Sequence, residues 1–184
     1  MTNLVKKDVD SVRRQVEAWL KTREGVCSLV ADRESHPGYE FVFHSYHGLK
    51  PFYVGLSTEL GVLEIMTDVR FSEEERVALR KEFPTPKEYK RFLRGLYRNL
   101  IERGCSFVPT AKGDLEIEGY RVIGTLYPFE SGGLNRRDFE TIVQSVISAT
   151  LRGVYYFQDV VDIELPKPST DERRKPEYWD PMVS

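Results

Sequence analysis

Apolar residues recur at helical spacing near both ends of the chain. In residues 5–23 they form one narrow stripe, which consists of Val5, Val9, Val12, Val16, Trp19 and Leu20. A wider stripe follows Asn135, a residue type that favours the first position before a helix. Its members are Phe139, Ile142, Val143, Val146, Ile147, Thr150, Leu151 and Val154. The pattern predicts an N-terminal helix and a long C-terminal helix that ends near Phe157.

Four short β-type runs lie between the first helix and residue 70. They cover residues 26–33, 39–46, 52–57 and 60–69, and turn-forming residues such as His36-Pro37-Gly38 separate them. Connections this short join only antiparallel neighbours. The region is therefore predicted to be an antiparallel meander.

Two helix start signals follow the meander. Ser72 and Thr85 each precede a glutamate by three residues, which is the pattern of a capping box. These boxes predict a short helix that ends at Phe83-Pro84 and a second helix that ends near Arg103. Residues 105–110 and 115–127 then resemble strands.

The resulting order is α-ββββ-αα-ββ(β)-α, which indicates an α+β fold with an antiparallel sheet packed against helices. One domain is expected over residues 1–164. A polar, proline-containing tail over residues 165–184 completes the chain.

Several strands are apolar on both sides, which is unusual for a sheet with one wet face. Simple alternation places Tyr39 with Phe41 and Phe43, and places Val42 on the opposite side. Intramolecular packing by a helix or the tail is one explanation, and a second subunit or client peptide is the other. The candidate partner-binding residues are Tyr39, Val42, Tyr46, Tyr53, Ile123 and Tyr127.

The helix that starts at Pro86 separates aromatic and aliphatic residues from basic ones. At about 100° per residue, one side carries the candidate anion-binding residues Lys87, Lys90, Arg91, Arg94 and Arg98. Such a face suits phosphate groups or an acidic partner protein. A solvated surface whose long side chains cover apolar neighbours is the favoured explanation of the same pattern.

Composition narrows the class of protein. The 184 residues carry a net charge of −2, which argues against a general nucleic-acid coat protein but allows a local basic patch.

No apolar run approaches the roughly 18 residues that span a bilayer, and the first ten residues lack a signal-peptide core. A cytoplasmic protein is expected, with Cys27 and Cys105 buried as small apolar residues. The many charged and few amide side chains are a thermophile tendency.

Candidate chemistry is sparse. His36, His44 and His47 lie close together in sequence, but no cysteine or carboxylate accompanies them at a metal-binding spacing. Ser131-Gly132-Gly133 precedes a helix but matches no phosphate-loop motif, and the acidic residues at 159, 162 and 164 are explained as solvated charges. No catalytic residue, metal site or cofactor is predicted, and a non-enzymatic protein is favoured.

The order of elements over residues 5–157 resembles the type III secretion chaperone-like fold, although the first meander has one strand more than its simplest members. The resemblance implies a homodimer that binds extended segments of another protein. We therefore expect a chaperone-like, protein-binding homodimer, and alternatively a nucleic-acid or polyanion binder that uses the helix at residues 86–103. A small-molecule enzyme is a third possibility.

Overall fold

The computed structural model describes residues 6–24, 27–48, 50–101, 104–111, 117–130 and 132–161. Within these residues the helices are α1 (Lys6–Glu24), α2 (Glu73–Glu82), α3 (Pro86–Ile101) and α4 (Arg136–Val161). The strands are β1 (Cys27–Asp32), β2 (Tyr39–His47), β3 (Lys50–Ser57), β4 (Leu63–Arg70), β5 (Ser106–Ala111) and β6 (Ile117–Leu126). The predicted α+β class and element order are confirmed. The predicted tail, residues 165–184, lies outside the described residues.

Local hydrogen bonds explain why the helices begin where the sequence predicts. At α2 the Ser72 hydroxyl accepts from the Glu75 amide at 3.2 Å, and the Glu75 carboxylate accepts from the Ser72 amide at 2.7 Å. This is the predicted capping box, and Phe83 forms the C-cap of the same helix. At α4 the Asn135 side chain accepts from the Asp138 amide at 2.9 Å.

The strands form one antiparallel sheet in the order β1-β2-β3-β4-β6-β5. The first four strands are the predicted meander. Strand β6 then pairs with β4, and β5 pairs only with β6, so β1 and β5 are the two edges. Cys27 and Cys105 lie near these opposite edges and are not joined in a disulfide, with Cys105 buried as predicted and Cys27 only partly buried.

All four helices contribute to a core on one face of the sheet, which we term the first face. Its strand residues include Phe41, Phe43, Val54, Ile65 and Val122. In the described part of the chain, no helix is both long enough and apolar enough to cross a membrane.

Helix α4 packs closely against strand β6 because glycines line the contact. A Cβ atom added to Gly124 of β6 would lie 2.4 Å from a methyl group of Ile142. One added to Gly153 of α4 would lie 2.4 Å from the Tyr120 hydroxyl. The short distance between α4 and the sheet therefore depends on glycine, which has no side chain, at positions 124 and 153.

The predicted orientation of Tyr39 is wrong because β2 contains a β-bulge. Tyr39 pairs with Ser57 and Phe41 pairs with Leu56, so two steps along β2 match one step along β3. The extra residue, Glu40, turns Tyr39 to the face opposite Phe41. Local alternation cannot predict this change, since the bulge is visible only from the pairing register.

The Gly153–Tyr120 contact generates a double-mutant prediction. Among the described residues the buried Tyr120 hydroxyl has no hydrogen-bond partner, so Y120F should leave stability unchanged or raise it by about 1 kcal/mol. G153A should destabilise the wild type by about 1–3 kcal/mol, because its methyl group meets that hydroxyl. In Y120F the same change should cost less.

Urea unfolding of the four proteins measures this coupling energy. Equal costs of G153A in both backgrounds would show that the hydroxyl does not limit the approach of α4.

Candidate binding surfaces

The second face of the sheet carries a separate, smaller apolar cluster. Its buried members are Ala31, Val42, Tyr53 and Met66, and Tyr39 and Ile123 pack against it partly exposed. These residues come from strands β1, β2, β3, β4 and β6. None of the described helices contributes a residue to the cluster. The second face is thus apolar at its centre, as the doubly apolar strands predict.

Polar side chains partly cover this cluster. The Tyr39 hydroxyl donates to the Glu64 carboxylate at 2.7 Å, and its ring lies across Gly55, where an added Cβ would approach it to 2.8 Å. Burial and the neighbouring Glu64 carboxylate raise the pKa of Tyr39. Arg121 forms a bidentate ion pair with Asp68, with N–O distances of 2.7 and 3.1 Å.

The six predicted partner-binding residues differ in accessibility. Val42 and Tyr53 are buried, at 0% and 7% exposure, so they support the surface from below. Tyr39, Tyr46 and Ile123 are partly exposed. Tyr127, directly after β6, is 56% exposed. A partner on the second face would therefore contact the four accessible residues, Tyr39, Tyr46, Ile123 and Tyr127, before the two buried ones.

Sequence reasoning missed Ala31 and Met66 of the cluster and the Asp68–Arg121 pair beside it. Strand β4 held a usable signal, since Glu64, Met66 and Asp68 alternate with residues of the first face. Ala31 could not be placed in this way, because β1 has a bulge between Leu29 and Ala31.

His44 lies beside the cluster and is 3% exposed. Its ring centroid is 4.8 Å from that of Tyr46 and 5.1 Å from that of Tyr53. Its buried Nε2 atom has no hydrogen-bond partner in the part of the chain that the structure describes. Burial lowers the pKa of His44, because the charged imidazolium loses hydration.

The second candidate surface is the outer side of α3. Tyr89, Phe92, Leu96 and Leu100 of this helix are buried. The five predicted basic residues, Lys87, Lys90, Arg91, Arg94 and Arg98, are all exposed. We call these five residues the basic face, and none of them forms an ion pair with a carboxylate of the described residues.

The acidic residue within α3 does not neutralise the basic face. Glu88 instead accepts hydrogen bonds from the Thr85 amide at 3.2 Å and the Thr85 hydroxyl at 2.6 Å. This is the predicted second capping box. Glu102, which follows the helix, lies outside the described residues.

The other candidate chemical groups do not converge. His44 lies on the second face, whereas His47 contacts Gln144 of α4 at 3.2 Å on the first-face side. Among the described residues, no three His, Cys, Asp or Glu side chains are grouped as a metal site requires. Arg136 approaches Glu140 at 3.9 Å. Ser131, Asp162 and Glu164 lie outside the described residues.

An open depression of about 440 Å³ runs along the outward side of α4. Its lining residues are Arg137, Glu140, Thr141, Gln144, Ser145 and Ser148. All of them belong to one helix, so the depression does not enclose a ligand in the manner of a concave small-molecule site.

The buried imidazole generates a pH prediction. Because the pKa of His44 is lowered in the folded state, its contribution to stability is complete above the unfolded-state value of about 6.5. That contribution is lost as the pH falls through the lower pKa of the folded state. Replacement by phenylalanine keeps a ring between the tyrosines but removes the titration.

We therefore expect H44F to lose less stability than the wild type between pH 8 and pH 5, as measured by urea unfolding. Identical pH dependence in H44F and wild type would contradict the assignment.

Comparison with known proteins extends to the fold alone. No protein-family model and no curated protein matches the chain. The structure is similar to the crystal structure of an uncharacterized protein from Methanothermobacter thermautotrophicus, with a TM-score of 0.67 and 14% sequence identity. The match covers 81% of this chain and 98% of that one. The arrangement of helices and sheet described above is therefore shared with a solved structure.

Proposed function

We propose that this protein is a non-enzymatic, protein-binding module that acts as a homodimer through the second face of its sheet. The observation that carries the proposal is the apolar cluster around Val42, Tyr53 and Met66, to which no described helix contributes. Apolar side chains that stay partly exposed around such a cluster, as Tyr39 and Ile123 do, are common at interfaces.

The chemistry of the second face suits a two-fold contact. An interface between identical copies brings the same patch against itself, so apolar and aromatic groups meet their equivalents. Tyr46, Ile123 and Tyr127 supply such groups at the periphery of the cluster. The Asp68–Arg121 pair is internally neutral, which limits like-charge repulsion across a two-fold axis. The resemblance to secretion chaperones adds the expectation that the dimer binds an extended segment of another protein.

The homodimer is tested by light scattering coupled to size exclusion. The wild type should elute with twice the 21.4 kDa mass of one chain. I123K places a charge within the proposed interface and should weaken self-association by about 100-fold, since removing a charge from water on association costs several kcal/mol.

The matched control is Y155K, which alters a 60% exposed tyrosine on the outward side of α4. It should remain dimeric. Circular dichroism checks that both variants are folded. A wild type that is monomeric at micromolar concentration, or an I123K protein that still dimerises, would rule out this interface.

A second function is favoured by a different observation. We propose that the basic face of α3 binds polyanions, because its five cations are exposed and lack described acidic partners. A binder that neutralises five phosphates loses affinity steeply with salt, with a log–log slope of about −3.5 on single strands.

The double variant R91E/R94E tests this second function. Its retention on heparin at low salt should fall well below that of the wild type, because it loses two cations and gains two anions. The variant K50E/R137E makes the same change in net charge at exposed positions away from α3. Its retention on heparin should fall less than that of R91E/R94E, because only the net charge of the protein changes and the basic face stays intact. Equal elution of the two variants would show that the basic face is not a binding site.

A further inference from the structure

An exposed aromatic side chain lies beside the basic face of α3. Tyr97 is 47% exposed and Ile101 is 44% exposed, although most other apolar residues of the helix are buried. At about 100° per residue, Tyr97 projects within about 60° of both Lys90 and Arg94 around the helix axis. The cations and the aromatic ring therefore form one continuous surface.

The Tyr97 ring is supported from one side. Its centroid lies 6.3 Å from that of Phe107 on strand β5, with an angle of 69° between the ring planes. This edge contact is a favoured aromatic geometry. Phe107 itself packs against the main core. The tyrosine ring is thus held by the fold while nearly half of its surface stays accessible.

The combination of cations and a supported ring points to a particular kind of polyanion. Phosphates would pair with the lysines and arginines, and a nucleobase would stack on the tyrosine. In a duplex, base faces are already stacked on one another and unavailable to a side chain. An acidic peptide would use the cations but gain no stacking. We infer that α3 binds single-stranded nucleic acid, a proposal that rests on the polyanion function and specifies its ligand.

The dimensions of the helix set the length of the site. From Lys87 to Arg98 the helix rises by about 17 Å at 1.5 Å per residue. With phosphates about 3.4 Å apart along a stacked strand, this distance corresponds to about five nucleotides. A twelve-nucleotide probe is therefore long enough to occupy the whole site.

Fluorescence polarisation with labelled dT12 tests the inference on the whole 184-residue chain at low salt. Y97A should weaken binding of dT12 by about 5- to 150-fold, the range found when a base-stacking ring is removed. Y97F keeps the ring and should bind within twofold of wild type. Y155A removes another exposed tyrosine, on α4, and should have no effect.

Competition experiments distinguish single-stranded nucleic acid from a duplex and from an acidic peptide. Unlabelled dT12 should displace the probe at lower concentration than a dA12·dT12 duplex or poly-glutamate at equal charge. If Y97A binds dT12 as the wild type does, or if the duplex or poly-glutamate competes equally well, single-strand recognition is refuted.

The control for the underlying function is heparin retention. If heparin binding is present and sensitive to R91E/R94E while Y97A changes nothing, only the single-strand inference fails. If neither heparin nor dT12 binds, the polyanion function itself fails.

Discussion

Helix α4 lies directly against the first face of the sheet, and the positions of the other helices depend on that contact. Gly124 on β6 and Gly153 on α4 allow the close approach. Thr67 of β4 and Thr150 of α4 share a hydrogen bond inside the interface. Helix α4 also contacts each of the other three helices. Its ring contacts include Trp19 of α1 through Phe139, at a centroid distance of 5.3 Å.

Because the described helices all pack on the first face, the second face has no described helix to cover its apolar residues. Several strands carry apolar residues on both sides of the sheet. The described helices all lie on the first face, so they can bury the apolar residues of that face only. The chain places Tyr39 across Gly55 and pairs Asp68 with Arg121 beside the cluster. These contacts bury the centre but leave Tyr46 and Ile123 partly exposed and Tyr127 accessible. The homodimer proposal follows from that incomplete cover, whereas the proposals for α3 depend on charges on a separate element.

Much of this fold could be predicted from the sequence, because its signals are local. The capping residues Ser72, Thr85 and Asn135 each precede a helix at the predicted position. Alternation in β3 and β6 correctly separated Tyr53 and Ile123 from the residues of the main core. The basic face was predictable for the same reason, since helical periodicity alone exposes it.

The remaining features depend on pairing between distant segments. The bulge at Glu40 reversed the predicted face of Tyr39, and the bulge in β1 hid the role of Ala31. The ion pair between Asp68 and Arg121 joins β4 to β6, which are separated in sequence by two helices and a strand. No local pattern indicates such a pair. Aromatic support of Tyr97 by Phe107 likewise requires the packing of α3 against β5.

A crystal structure of the 184-residue chain tests the central claim most directly, because it shows what lies on the second face. The account predicts a two-fold interface that covers Tyr46, Ile123 and Tyr127 and buries about 1,200–2,000 Å² in total, the range of stable interfaces. A second face that is open to solvent, or covered by residues 162–184 of the same chain, would contradict it.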